Sequence, residues 1–229
     1  MRVARIFAEL LGTVILSFSV TQSEGSPVSM GAGLWCAIIA TGFISGGQFN
    51  PAITTSILLV KVLQREVKPA EVLEHIAYFL CHFLGGMLGA LLSWGVKGDT
   101  WKLMVAGDYS QGSGFLAEMC GTTILVLVAQ VQGLMRDTAF IGTLAIAATY
   151  YLGGLTLRSI SGGCLNPAIG VGVNFADAVN YGGDRASHMW IYVCAPFAGA
   201  LLSAAFFLIM KPELEKLHKL KKRKRTNSK

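Results

Sequence analysis

Charge is what this sequence has least of. Only 14% of its 229 residues are Asp, Glu, Lys or Arg, against about 25% in a soluble domain. That deficit excludes an ordinary cytosolic enzyme, a disordered chain and a DNA-binding module. Cysteine is no richer: there are five, an odd number, with no CxxC pair and no His/Cys ligand spacing. Neither a disulfide framework nor a metal site is expected, and no other cofactor. No nucleophile-base-acid set and no phosphate loop is present, so no enzyme chemistry is expected. The charge that exists is unevenly placed. Lys211 to Lys229 holds nine basic and two acidic residues, whereas Met1 to Met210 holds ten basic and eleven acidic. The net charge of +6 therefore belongs to a tail that follows a long apolar stretch. Such a tail is a juxtamembrane polybasic segment for anionic lipid and gives no ground for a nucleic-acid partner.

What the sequence has in quantity is apolar length. A helix crossing a hydrocarbon core of about 30 Å needs roughly 20 apolar residues. Stretches of that kind run from Val3 to Thr21, Val28 to Ile44, Leu73 to Val96, Gly114 to Gln132, Ala139 to Leu157 and Met189 to Met210, which predicts six spans. Pro51 to Val60 and Pro167 to Ala176 are apolar too, but each holds ten residues, about 15 Å of helix, and cannot cross alone. Arg2 and Arg5 before the first run imitate a signal peptide. Glu9 inside that run and the lack of an A-x-A-like site predict a retained span instead. Basic residues fall on one side: Arg2, Arg5, Lys61, Arg65, Lys68, Arg136 and the tail. The opposite loops mix signs, with Glu24, Lys97, Asp99, Arg158, Asp177, Asp184 and Arg185 among their charges. Both termini are accordingly expected in the cytoplasm, as an even span count requires. Trp94, Trp101, Tyr181, Trp190 and Tyr192, near span ends, fit interfacial belts.

The chain also repeats itself. Phe7 to Val14 reads FAELLGTV and Leu116 to Ile124 reads LAEMCGTTI; Ile44 to Ile53 reads ISGGQFNPAI and Ile160 to Ile169 reads ISGGCLNPAI, the last pair identical at eight of ten positions. Each half thus has three spans and a half-helix after its second. An odd number of spans per half means that the halves enter the membrane in opposite senses, an inverted repeat.

In each Asn-Pro-Ala box the asparagine suits an N-cap, and the proline suits the first helical position, where its missing N–H costs nothing. Irregular backbone at membrane depth is tolerated only when buried in protein or lining a water-filled cavity. Two half-helices entering from opposite faces must meet near the midplane, N-terminus to N-terminus, each with roughly +0.5 elementary charge from its macrodipole. The amides of Asn50 and Asn166 can then donate to the oxygen of a passing molecule, while the paired dipoles repel cations.

The duplicated boxes, the Ala-Glu-x-x-Gly-Thr signature in the first span of each half and the six-span plan resemble the aquaporin (major intrinsic protein) family, over essentially the whole chain to Met210. The resemblance implies an all-α membrane protein of six transmembrane helices and two re-entrant half-helices. It also implies a homotetramer with one pore per subunit, passing water and, in some branches, glycerol or other small neutral solutes such as urea or hydrogen peroxide. On this plan residues 1–210 form the channel domain, repeat one being 1–96 and repeat two 114–210, and residues 211–229 the basic cytoplasmic tail. The pore motifs are Asn50, Pro51, Ala52, Asn166, Pro167 and Ala168. Glu9 and Glu118 are carboxylates within spans, and their symmetric placement favours supporting the N–H groups of the re-entrant loops over a proton relay, which would need a chain of titratable groups. Gln48 and Cys164, each two residues before its asparagine, are candidate pore-lining residues.

One departure from the family stands out. Orthodox members carry an arginine at the outer constriction, three residues after the second asparagine, and here that residue is Ile169. By distance from the boxes the other constriction positions are Met30, Gly154 and Gly163. This set is more apolar than the histidine-plus-arginine type, and it lacks five donors and a fixed charge. A wider opening with looser solute selection is expected, similar in its lost arginine to the small intrinsic proteins and superaquaporins. Arg158, eight residues before Asn166, is a candidate to swing toward the pore mouth as a substitute, with snorkelling to headgroups the plainer role. Two other functional classes remain open: an inverted-repeat secondary transporter, for which Glu9 and Glu118 are the available coupling charges, and a non-conducting scaffold or adhesion protein. The tail, with Lys221 to Arg225 at its centre and Thr226 and Ser228 beside it, suits anionic lipid or an arginine-based retention machinery. These point to the plasma membrane or the endoplasmic reticulum respectively.

Overall fold

The computed structural model describes residues 3–135, 139–183 and 187–227, and among them every regular element is a helix. Arg2, Arg136, Asp184, Arg185, Ser228 and Lys229, which entered the topology and tail expectations, lie outside the described residues, as do the side chains of residues 224–227. The elements are α1 (Val3–Gln22), α2 (Pro27–Ala37), a π-helical turn (Ile38–Gly42), α3 (Phe43–Ser45), α4 (Pro51–Leu63), α5 (Pro69–Lys97), α6 (Gln111–Leu134), α7 (Ala139–Leu157), α8 (Pro167–Tyr181) and α9 (Met189–Asn227). Six stretches are long and apolar enough to cross a membrane: α1, the continuous run Pro27–Ser45, α5, α6, α7 and α9.

Three helices run past their expected ends. The half-helices α4 and α8 have 13 and 15 residues, or about 20 Å each, because Lys61 and Asn180 continue a helical register past the apolar segment. Helix α9 does not stop at Met210 but runs 39 residues. Its polar extension carries helix-favouring Leu, Glu and Lys, with Lys211 and Glu215 paired at 3.5 Å one turn apart.

Ion pairs mark two faces. On one, Arg5 pairs with Glu74 at 2.5 Å, Lys61 with Glu71 at 3.7 Å and Lys211 with Glu66 at 3.3 Å. These gather the start of α1, the α4–α5 link and the middle of α9. On the other, Lys97 meets Glu24, Thr100 Oγ1 donates to Asp177 Oδ1 at 3.0 Å, and Tyr181 O–H donates to Asp99 Oδ1 at 2.6 Å. The C-terminal ends of α4 and α8 thus lie on opposite faces, so the two half-helices run inward from opposite sides.

Small residues let the spans close on one another. Ser17 Oγ donates to Gly86 O at 2.6 Å between α1 and α5, and Thr123 Oγ1 to Gly199 O at 3.3 Å between α6 and α9. The tightest seam joins α5 to α8, where a Cβ added at Gly86 would sit 2.1 Å from Ala168 O, and one at Gly172 would sit 2.2 Å from Gly86 O. No side chain larger than hydrogen fits either place.

Candidate pore site

Each re-entrant loop is built from the same parts. Gly47 and Gly163 adopt φ of 65° and 64°, and the non-glycine residues two positions on, Phe49 and Leu165, adopt φ of 46° and 50°. Left-handed backbone at a bulky residue is strained and persists only where the surroundings over-determine it. Here they do. Glu9 Oε2 accepts the Phe49 N–H at 2.8 Å and Oε1 the Gln48 N–H at 3.0 Å. Glu118 Oε2 accepts the Leu165 N–H at 2.6 Å and Oε1 the Cys164 N–H at 2.9 Å. Both carboxylates are fully buried. The glycine of each Ala-Glu-x-x-Gly-Thr signature has a partner role: a Cβ at Gly12 would lie 2.1 Å from the Phe49 ring, and one at Gly121 2.5 Å from Leu165 Cδ2. The glutamate holds the loop residue's N–H while the glycine three residues on makes room for its side chain.

The asparagines then join the two loops. Asn50 Oδ1 caps α4 by accepting the Ala52 N–H at 2.9 Å, and Asn166 Oδ1 caps α8 by accepting the Ala168 N–H at 3.0 Å. Asn50 Nδ2 donates to Leu165 O, and Asn166 Nδ2 to Phe49 O, both at 2.9 Å. The carbonyls that receive these bonds belong to the two strained residues. The N-termini of α4 and α8, with Pro51 and Pro167 each at the first helical position, therefore abut, and their macrodipoles converge on one small region. An amide NH₂ has two donors; one on each asparagine is engaged in this lock, which leaves the other for an oxygen outside the loops.

Of the remaining sequence-selected residues, Gln48 Oε1 accepts from Thr54 Oγ1 at 2.6 Å, and the buried Cys164 thiol donates to Asn166 O at 3.3 Å. Met30, Gly154 and Gly163 come together: a Cβ at Gly154 would lie 2.7 Å from Met30 Sδ, and one at Gly163 3.1 Å from Gly154 Cα. Ile169 and Met30 line one chamber with Cys164 and Gly162. The chamber is apolar and narrow, and Trp101 and Leu103 complete its lining from outside the four constriction positions. Arg158 is exposed, with its guanidinium 3.5 Å from Glu24 O at the rim.

Several residues of the site carried no signal that singled them out. Tyr78 O–H donates to Ser45 O at 3.0 Å and Tyr192 O–H to Ser161 O at 2.6 Å, matching braces from the third span of each repeat. Tyr192 is fully buried and is not an interfacial aromatic; a serine five residues before each box asparagine and a tyrosine in the third span of each half were the available hint. Tyr150 O–H adds a bond to Cys164 O at 2.8 Å in repeat two alone. His82 Nε2 lies 2.9 Å from Glu9 Oε2, and Ser161 Oγ donates to Glu118 Oε1 at 2.7 Å. Each carboxylate thus has a third partner, of a different kind in each half. His188 accepts the Val105 N–H on Nδ1 at 3.2 Å.

The family profile described as major intrinsic protein matches residues 2–207. The chain is 30% identical over 224 residues to the glycerol uptake facilitator protein-like 6 of Lactiplantibacillus plantarum, a match covering 91% of this chain and 99% of that protein. It is 29% identical over 191 residues to the probable aquaporin PIP2-6 of Oryza sativa subsp. japonica, covering 78% of this chain and 64% of the relative. Among solved structures, the X-ray structure of the aquaglyceroporin from Plasmodium falciparum superposes with a TM-score of 0.78 at 20% identity, covering 93% of this chain and 98% of that one. Two half-helices locked tip to tip inside six membrane-spanning helices, together with a profile match across nine-tenths of the chain, make this integral membrane protein a member of the major intrinsic protein family of channels.

Proposed function

We propose that the chain forms a passive pore for water and small uncharged solutes, glycerol among them, and carries out no enzyme chemistry. The observation that supports this most is the reciprocal bonding of Asn50 and Asn166. It leaves one amide donor per asparagine at the meeting point of two helix N-termini, where a neutral oxygen is welcomed and a cation repelled. In this reading Asn50, Pro51, Ala52, Asn166, Pro167 and Ala168 form the ion-excluding centre, and Glu9 and Glu118 hold its loops. Met30, Gly154, Gly163 and Ile169 form the outer constriction, with Gln48 and Cys164 along the path. Glycerol enters the proposal because relatives covered almost end to end by this chain are named for glycerol uptake.

The subunits form a homotetramer. The start of α1, the α4–α5 link and the base of the tail share one face, which supports both termini being cytoplasmic. The tail meets anionic lipid of the plasma membrane or a retention machinery of the endoplasmic reticulum; neutralising Lys221 to Arg225 relocates the protein in the second case and weakens vesicle binding in the first. Stopped-flow swelling and shrinkage of proteoliposomes in water, glycerol, urea and hydrogen peroxide tests the pore. Wild-type flux above protein-free vesicles is expected, lost or made ion-leaky in an Asn50/Asn166 double variant. Zero flux for every solute refutes it.

A further inference from the structure

The segment between α5 and α6, residues 98–110, is not a free surface loop. Ala106 N–H donates to Ile160 O at 2.9 Å, just before the second re-entrant turn, and Val105 N–H donates to His188 Nδ1 at 3.2 Å. Its first residues are tied to the far end of α8: Thr100 Oγ1 donates to Asp177 Oδ1 at 3.0 Å and receives Asn180 Nδ2 at 3.2 Å, while Asp99 receives Tyr181 O–H. Between these ties Leu103 and Val105 turn inward and Trp101 is half-buried, while Met104 faces outward. Leu103 is 2% exposed and lies so close over Gly162 that a Cβ there would be 2.5 Å from Leu103 Cδ1; Trp101 covers Gly25 in the same way at 2.6 Å. Both reach the chamber lined by Met30, Cys164 and Ile169.

We propose that Leu103 and Trp101 are selectivity-determining residues of this pore, an apolar collar contributed by the 98–110 segment to the outer constriction, in the space beside Ile169. The inference deepens the proposed pore and rests on its placement of the constriction at Met30, Gly154, Gly163 and Ile169. Its physical content is dewetting. A guanidinium offers five donors to a passing oxygen, whereas Leu, Trp, Met and Ile offer the chamber a single indole N–H. Water or a charged species must then cross an unhydrated stretch, and a constriction of this kind conducts only when its side chains part. The collar replaces selection by charge and hydrogen bonding with selection by desolvation and by the opening of two bulky side chains.

The test separates the collar from conduction itself. Leu103→Ala and Trp101→Ala are reconstituted beside the wild type, with Leu103→Asn as a variant of nearly unchanged size and opposite polarity. Water permeability is expected to rise roughly tenfold in each alanine variant, a barrier change of about 1.4 kcal/mol, and to rise in Leu103→Asn without comparable gain for larger solutes. The second measurement needs no flux. In a background where Cys36, Cys81, Cys120 and Cys194 are serine, the labelling rate of Cys164 by a membrane-impermeant thiol reagent reports access to the chamber, and it should increase severalfold in the alanine variants. Faster labelling in the alanine variants without flux in any protein would remove the pore reading and the selectivity role with it, leaving two side chains that merely cover the chamber. Unchanged labelling in folded, monodisperse Leu103→Ala and Trp101→Ala overturns the collar whatever the flux.

Discussion

The two re-entrant loops solve one problem with the same parts and then differ in their surroundings. Both use a glycine and a following residue in left-handed conformation, a buried glutamate under two loop N–H groups, an asparagine cap and a tyrosine brace. They part company in the helix that follows. Six residues after its asparagine, α8 has Gly172 pressed against the backbone of Gly86, while α4 has Ser56, whose hydroxyl donates to Ala200 O at 2.9 Å. Repeat two is sealed by backbone contact, repeat one by a side-chain bond. Beside α4 an apolar groove of about 400 Å³ runs along α5 between Leu58, Val62, Ile76 and Phe79. The central geometry is therefore fixed by the loops and their carboxylates, and the flanking helix contacts are free to diverge.

That contrast can be broken most sharply at the seam. Gly172→Ala forces the α5 and α8 backbones apart and is expected to cost ~3 kcal/mol, seen as loss of the monodisperse peak after detergent extraction. Recovery of normal protein would mean that the half-helices pack alike after all. Next come Glu9→Gln and Glu118→Gln. Each sets an amide NH₂ against a loop N–H, and each should cost ~2–3 kcal/mol, read as closely matched falls in Tm. A much larger fall at Glu9 would show that His82 holds a charge there, which the glutamine leaves buried and unpaired.

Asn50→Ala and Asn166→Ala should each lose ~1–2 kcal/mol as a cap and a lock disappear. Because each asparagine bonds the carbonyl next to the other, the double variant should fall short of additivity by ~0.5 kcal/mol or more in denaturant titration. Strict additivity would mean that the loops behave as independent pieces. The smallest effect belongs to Ser56→Ala, ~1 kcal/mol or less with flux unchanged. A loss as large as that of Gly172→Ala would erase the difference between the halves.

The spans, the inverted repeat and the caps were legible because each rests on a local rule: twenty apolar residues, a repeated decapeptide, and asparagine followed by proline. The placement of two carboxylates beneath two loops was legible from symmetry alone. What stayed hidden depends on contacts between distant segments. Nothing local in Phe49 or Leu165 announces a left-handed backbone, since the strain is held by Glu9 and Glu118 some forty residues away. Leu103 and Trp101 sit in a stretch with no periodicity, and hydrogen bonds to α8, to Ile160 and to His188 hold that stretch against the core. Tyr192 reads as an interfacial aromatic until the position of Ser161 gives its hydroxyl a buried acceptor. The extension of α9 was missed because hydropathy marks where a span ends, not where a helix does.

The cross-repeat lock also sets an order of events during synthesis. The carbonyl of Phe49 and the amide of Asn50 emerge from the ribosome more than a hundred residues before Asn166 and Leu165 exist to meet them. Until then the first loop has Glu9 but no opposite number, and an unpaired polar backbone at membrane depth is expensive. Repeat one therefore reaches its final bonding only when the second half arrives, and the nascent chain becomes a finished membrane protein at that point.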